Sequence, residues 1–319
     1  MSADGSAAPS PGLARPVDGE IGGGWALGLA AICAAAALMG TSTVLIRVGG
    51  GPPFAGAAWR FGIASVFLLF LAYRLKLAVP RGRTLAGVAL VGVFGFCLAN
   101  AFTYVALKKV APGLAQIIVT TNPLFTIFLA RLHGLDRVGI AAVLGVTLSL
   151  LGVVVMVGLK GIRSDPRDIT FLALAAMCSA ESYVIARRLR GLHPVTTAAV
   201  AMPVGAIALL GLTVASGESL APVASSKWIL ALAYNIVFAS CLLFVLYFWT
   251  VRTWGPVAAS CSFLIAPVVA TGLGAAVAQE RITVAFIAGA ALVLGGVYVG
   301  IMRGGLVRAP ASPVPQGER

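Results

Sequence analysis

Ten apolar runs, each about as long as a bilayer is thick, follow one another through most of the chain. They cover roughly residues 24–46, 54–73, 85–107, 111–131, 138–159, 169–189, 194–215, 228–250, 255–279 and 283–302. A backbone that crosses lipid must satisfy its own N–H and C=O groups, so runs of this length fold as helices. The expected fold class is therefore an all-α membrane protein with ten transmembrane helices. Charged residues make up 10% of the chain, against about 25% in soluble domains. The net charge of +13 sits at the ends of the runs, not in a stripe. That is how membrane loops carry charge, and it argues against a nucleic-acid partner.

The ends of the chain are different. Residues 1–23 and 304–319 are polar and rich in proline, and read as disordered tails. The first tail lacks the basic start of a secretory signal, so the first run is expected to stay in the mature protein. Cys33, Cys97, Cys178, Cys241 and Cys261 fall singly in five runs without a CxxC pair, which fits packing rather than a disulfide framework. With only His133 and His193 besides, no metal site and no cofactor is expected.

An internal repeat organises the runs. Pro112, Pro123, Asp136 and Arg137 recur as Pro256, Pro267, Glu280 and Arg281, each 144 positions on. The same offset maps Gly145 onto Gly289 and Gly152 onto Gly296. At a slightly shorter offset, Ser42, Val44 and Arg47 match Ser182, Val184 and Arg187, and Pro53 matches Pro194. The long polar break from Lys160 to Asp168 divides the runs five and five. Two units follow, 24–160 and 161–303. Because five is odd, the chain enters the second unit from the opposite side of the membrane, so the repeats are inverted.

Proline is harmless at a helix start but removes a hydrogen bond at mid-helix. Pro123 and Pro267 should free the carbonyls of Val119 and Phe263, and in lipid such carbonyls must face protein or water. The fourth and ninth runs are therefore expected to kink at these prolines, as hinges, and to face a shared interior. Asp136 and Glu280 stand just before the fifth and tenth runs, where an acid caps a helix. Lysine and arginine favour the side that holds both tails, fourteen against eight, so both termini are expected in the cytoplasm.

Polar side chains are costly in lipid and should line an interior or a water path. They concentrate in runs 1, 3, 4, 6, 8 and 9, a set that maps onto itself under the repeat. A central cavity between these six helices is expected. The substrate-binding candidates are Ser42, Asn100, Thr103, Tyr104, Gln116, Asn122, Asn235, Phe244, Tyr247, Phe248 and Ser260. Any single Ser or Thr can instead bond back to its own helix. Glu181, the acid within a run, either couples transport to protons or pairs with a basic residue such as Arg187. Arg60 either attracts a carboxylate or bonds carbonyls near the membrane rim.

These residues also carry a family resemblance. Gly40-Thr41-Ser42 and Trp59-Arg60-Phe61 look like the drug/metabolite transporter superfamily. Gly255-Pro256, Pro267, the stretch from Gln279 to Thr283, Gly289 and Gly296 look like its EamA-type repeat. Met39 stands where the family commonly has tryptophan, and Asp136 where its repeat more often has glutamate. The resemblance spans roughly 24–303 and implies export of small metabolites or drugs across the bacterial inner membrane. Within the superfamily the chain looks most like exporters of aromatic amino acids and of paraquat-type cations.

The expected cavity is neutral and partly aromatic, which suits amino acids, with the bilayer as surroundings and a monomer or weak dimer as assembly. An organic cation, a nucleoside or a sugar would suit many of the same groups. No run holds a paired-carboxylate or nucleophile–base set, so an enzyme is not expected. A channel would call for a ring of like residues or a filter loop.

Overall fold

The computed structural model describes residues 21–107, 110, 115, 118–135, 139–157, 165–189, 191–223, 225–278 and 284–302. Pro112, Gln116, Asp136, Arg137, Glu280, Arg281, the turns at Lys108–Lys109 and Gln279–Ile282, residues 1–20 of the first tail and the whole second tail lie outside these residues, while Ile21–Gly23, expected in the first tail, are helical.

All secondary structure among the described residues is helical, and the helices coincide with the apolar runs. They are α1 (Ile21–Gly49), α2 (Pro53–Arg74), α3 (Gly82–Val91, Gly92–Leu98 and Ala99–Leu107), α4 (Asn122–Leu132) and α5 (Ile140–Val157). Then come α6 (Pro166–Arg188), α7 (Pro194–Ala215), α8 (Ser226–Thr253), α9 (Pro256–Ser260 and Ser262–Ala278) and α10 (Val284–Met302). Six of them, α1, α2, α3, α6, α7 and α8, are long and apolar enough to span a bilayer outright, and shorter apolar helices accompany them.

Local chemistry sets the ends. Proline opens α2, α6, α7 and α9, where a missing N–H costs nothing. Asp165 caps α6 by accepting from Arg167 N at 2.9 Å. Pro52 offers α2 no cap of its own, so Glu218 of the α7–α8 loop accepts from Phe54 N and Ala55 N instead. The α1–α2 turn runs through Gly50 and Gly51 at φ 67 and 99, backbone that other residues rarely adopt.

Large apolar side chains point outward in helical stripes, including Val66 and Phe70 of α2, Leu144 and Leu151 of α5, and Ile287 and Leu294 of α10. A membrane protein turns such faces to lipid. Alanine is the commonest residue at the buried positions, which lets helices approach closely.

Helix pairing carries the repeat. The most extensive contacts are α5 with α10, α3 with α6, and α2 with α7, and α1 packs on both α8 and α9. Shifting by five helices turns α1–α9 into α6–α4, and α3–α6 into α8–α1, and both of these pairs are also packed. At the α5–α10 crossing, Gly145 lies against Gly296 and Gly300, and Gly152 against Gly289 and Val293. A Cβ on Gly145 would sit 2.5 Å from the Gly296 carbonyl oxygen, and one on Gly152 would sit 2.6 Å from that of Gly289. Each glycine thus meets the repeat partner of the other, the contact pattern of a two-fold axis. Ser149 Oγ donates to Val293 O at 3.0 Å across the same crossing, and those two positions are themselves 144 apart.

Candidate functional site

A cavity of about 190 Å³ lies at the centre, lined by α1, α3, α6, α8 and α9 and by Val119, just before α4. They are five of the six helices whose polar residues suggest a cavity, and Val119 stands at the approach to the sixth. Each contributes one face. Met39 and Thr43 are four apart on α1, and Ser179 and Tyr183 are four apart on α6. On α3 the face is Gly95, Ala99, Asn100 and Thr103; on α8 it is Leu243, Phe244 and Tyr247. Val119 and Phe263, whose carbonyls the prolines are expected to free, both line it.

Tyr183 and Tyr247 pack with ring centroids 4.4 Å apart and their planes tilted by 42°, and Phe263 lies beside both. The Tyr247 hydroxyl is buried without a hydrogen bond of good geometry. Asn100 donates to Phe96 O at 2.9 Å, and Thr103 to Ala99 O at 2.7 Å. The lining holds amide, hydroxyl and ring groups, with no charged side chain among the described residues.

The expected binding residues divide. Asn100, Thr103, Phe244 and Tyr247 line the central cavity. Tyr104 and Asn235 line a second one, described below. Ser42 donates to Asn235 Oδ1, tying α1 to α8 between the two cavities. Asn122 is buried away from both, donating to Ala176 O of α6 at 2.9 Å. Ser260 bonds back to Val257 O at 2.7 Å. Phe248 turns into the core between Phe244 and the α7 side of the bundle. Gln116 lies outside the described residues.

The proline helices depart from expectation in one respect. The helical ladder breaks before each proline, at Thr120–Thr121 ahead of Pro123 and at Cys261 ahead of Pro267. Hydroxyls explain where. Thr121 Oγ1 takes Ile118 O, Ser260 Oγ takes Val257 O and Ser262 Oγ takes Ala259 O, at 2.6, 2.7 and 2.9 Å. Side chains that satisfy carbonyls locally let the backbone loosen there, and the proline sits downstream of the loosened turn.

Glu181 faces away from the cavity, because it is two residues from both Ser179 and Tyr183. Arg187 donates to Val251 O and Arg252 O, and among the described residues no ion pair joins it to Glu181. The partner of Glu181 is His133 at the end of α4, Nε2 to Oε1 at 3.4 Å. The other oxygen, Glu181 Oε2, and the other ring nitrogen, His133 Nδ1, are buried without partners among the described residues.

Two features have no residue-type signal. The middle of α3, Gly92–Leu98, and the middle of α8, Val237–Leu242, are π-helical, and their starts are 145 apart. Such wide turns are rare and collect at functional sites. Each has loosened carbonyls, and each finds a different donor. Asn100 serves the first; Arg60 of α2 serves the second, through Nη2 to Ala239 O at 2.8 Å and Nε to Ser240 Oγ at 2.7 Å.

The second cavity, about 310 Å³, lies at the α1–α2 face of the bundle. Arg60, Tyr104, Trp228 and Asn235 line it, with the turn from Gly50 to Pro53 as one wall. A third hollow of about 550 Å³ opens at the opposite face between α1, α7 and α8 and shares no lining residue with the central cavity.

The sequence profile of the EamA-like transporter family matches residues 26–158 and, a second time, 167–302. The chain belongs to the EamA-like transporter family. Its relatives include the uncharacterized inner membrane transporter YedA of Escherichia coli K12, 26% identical over 77% of this chain and 81% of YedA. The uncharacterized transporter YyaM of Bacillus subtilis is 29% identical over 82% of this chain and 88% of its own. A crystal structure of a protein at 20% identity superposes with a TM-score of 0.72 over 87% of this chain and 96% of the other. That likeness speaks for the fold. As an EamA family member with membrane-spanning helices, the chain is a multi-pass membrane transporter.

Proposed function

We propose that the protein exports amino acids, aromatic ones included, across the bacterial inner membrane by alternating access of two inverted halves, 24–160 and 161–303. The observation that carries this is the central cavity, which is neutral, ringed by Tyr183, Tyr247, Phe244 and Phe263, and shared by both halves. Amide and hydroxyl groups suit a zwitterion's two ends, and the rings suit an apolar side chain. At about 190 Å³ the space is below the roughly 300–1,000 Å³ of drug-sized sites, which favours one small metabolite. The inner membrane assignment follows YedA, and both termini lie in the cytoplasm because positive charge favours that side. The α1–α2 face is then the outer one.

Asn100, Thr103, Phe244 and Tyr247, with Thr43, Ser179 and Tyr183, hold the substrate. Ser42 and Asn235 form the partition toward the outer face, while Asn122, Phe248 and Ser260 support the wall. The loosened turns before Pro123 and Pro267 absorb the bend. Glu181, paired with His133, is the residue that couples transport at the cytoplasmic end, with Arg188, which donates to His133 O, beside it. The protein works as a monomer or weak dimer.

Purified protein in liposomes should take up labelled phenylalanine with saturation, and several other amino acids should compete. Saturable uptake of a drug cation or nucleoside without competition from any amino acid would replace the substrate and keep the carrier.

A further inference from the structure

We infer that the outer cavity is a carboxylate site, in which Arg60 holds the anionic end of a small metabolite. This rests on the exporter reading and names what the second cavity does in it: it receives the substrate's carboxylate on the way out.

The first support is an unspent cation. A guanidinium has five N–H donors. Arg60 uses two, toward Ser240 and Ala239 of the α8 π-turn. Among the described residues no carboxylate pairs with it. Its guanidinium also sits over the Phe61 ring, 4.9 Å from the centroid. Glu218, the acid of the neighbouring loop, spends one oxygen on the N-terminus of α2. An unpaired arginine within a span is expensive, and a bound anion would offset that cost.

The second support is the rest of the lining. Among the described residues no hydrogen bond occupies the Tyr104 hydroxyl or the Trp228 indole N–H, and both side chains border the same space as Arg60. Asn235 Oδ1 is already taken by Ser42, and one amide proton by Ala231 O at 2.7 Å. What these side chains still offer is mainly donors. A carboxylate accepts only, through two oxygens, and matches that surplus; an ammonium group does not. The volume of about 310 Å³ fits a small monocarboxylate and is at the low end for drug-sized ligands.

The third support is contrast. The central cavity has no charged lining among the described residues, so it can bind a zwitterion without holding it by charge. An arginine placed beyond the Ser42–Asn235 partition gives the carboxylate a reason to move past it.

The probes are 3-phenylpropionate, which has a carboxylate and no amine, and 2-phenylethylamine, which has the reverse. Both are titrated into the purified protein in lipid nanodiscs. 3-Phenylpropionate should bind and change tryptophan emission, and Trp228→Phe should lose that change. Arg60→Gln should weaken binding at least about tenfold, the order expected for a lost charge-assisted hydrogen bond. Arg60→Lys should recover part of it. Tyr104→Phe, which leaves the α2–α8 tie intact, should weaken binding about threefold or more. It decides the matter if Arg60→Gln does not fold. The amine should show no dependence on Arg60. Unchanged affinity in Arg60→Gln, or in Tyr104→Phe where Arg60→Gln does not fold, or an emission change that persists in Trp228→Phe, overturns the proposal. Phenylalanine uptake that survives such a result would leave the exporter standing. Carboxylate binding without uptake of any amino acid would leave this site standing and remove the exporter's substrate.

Discussion

The α5–α10 seam and the central cavity both lie at the meeting of the two halves, yet they are built from opposite materials. The seam has glycines pressed against backbone, so that even one methyl group would collide. The cavity is bordered by π-turns, by hydroxyl-loosened helices and by rings around open space. Dense packing resists deformation, whereas broken ladders with locally satisfied carbonyls can bend at little cost. The difference suggests which parts move: the seam is the pivot and the cavity helices swing about it.

The largest expected effect comes from breaking the pivot. Gly152→Leu must displace the Gly289 backbone, since relief through a flexible side chain is not available there. Overpacking costs about 1–3 kcal/mol in ordinary cores, and more is expected where backbone meets backbone. The thermal midpoint in detergent should fall sharply, with little folded protein recovered. A variant as stable as wild type would mean that the halves are not joined at this crossing.

Next come the rings. Tyr247→Ala and Phe244→Ala should lower phenylalanine flux up to about tenfold, from ring contacts of about 0.5–1.5 kcal/mol, and threonine flux much less. Phe248→Ala should reduce both fluxes alike, because Phe248 packs in the core and not on the cavity. Selectivity appearing in Phe248→Ala instead would misplace the binding wall.

The hinge should be subtler. Pro267→Ala restores one backbone donor downstream of the break at Cys261, and should slow turnover about two- to fivefold with KM unchanged. A change confined to KM would assign the proline to binding. Smallest at neutral pH, Glu181→Gln should leave flux near wild type while flattening its pH dependence, since it removes the acid that faces His133. An intact pH profile would make that pair purely structural.

How much of this is legible in the sequence follows from which residues leave a periodic or chemical mark. Apolar length gives the helices, and the 144-residue offset gives the glycine crossing, because Gly145, Gly152, Gly289 and Gly296 are needed for contact. Polar enrichment picks out the six cavity helices. It does not say which way each side chain turns. Ser179 and Tyr183 could be read together by their spacing of four, which would also have turned Glu181 outward. The π-turns leave no such mark, since an extra residue in a helical turn needs no particular side chain. Arg60's role depends on Ala239 and Ser240, about 180 positions away, and only the folded chain brings them together.

The central claim is that the cavity opens to one side and then the other. Thr103→Cys, in a chain whose five native cysteines are replaced, places one thiol on the cavity wall. A membrane-impermeant thiol reagent should label it in sealed liposomes when added to either side, and phenylalanine should slow both reactions. Labelling from only one side, or from neither, would contradict alternating access through this cavity.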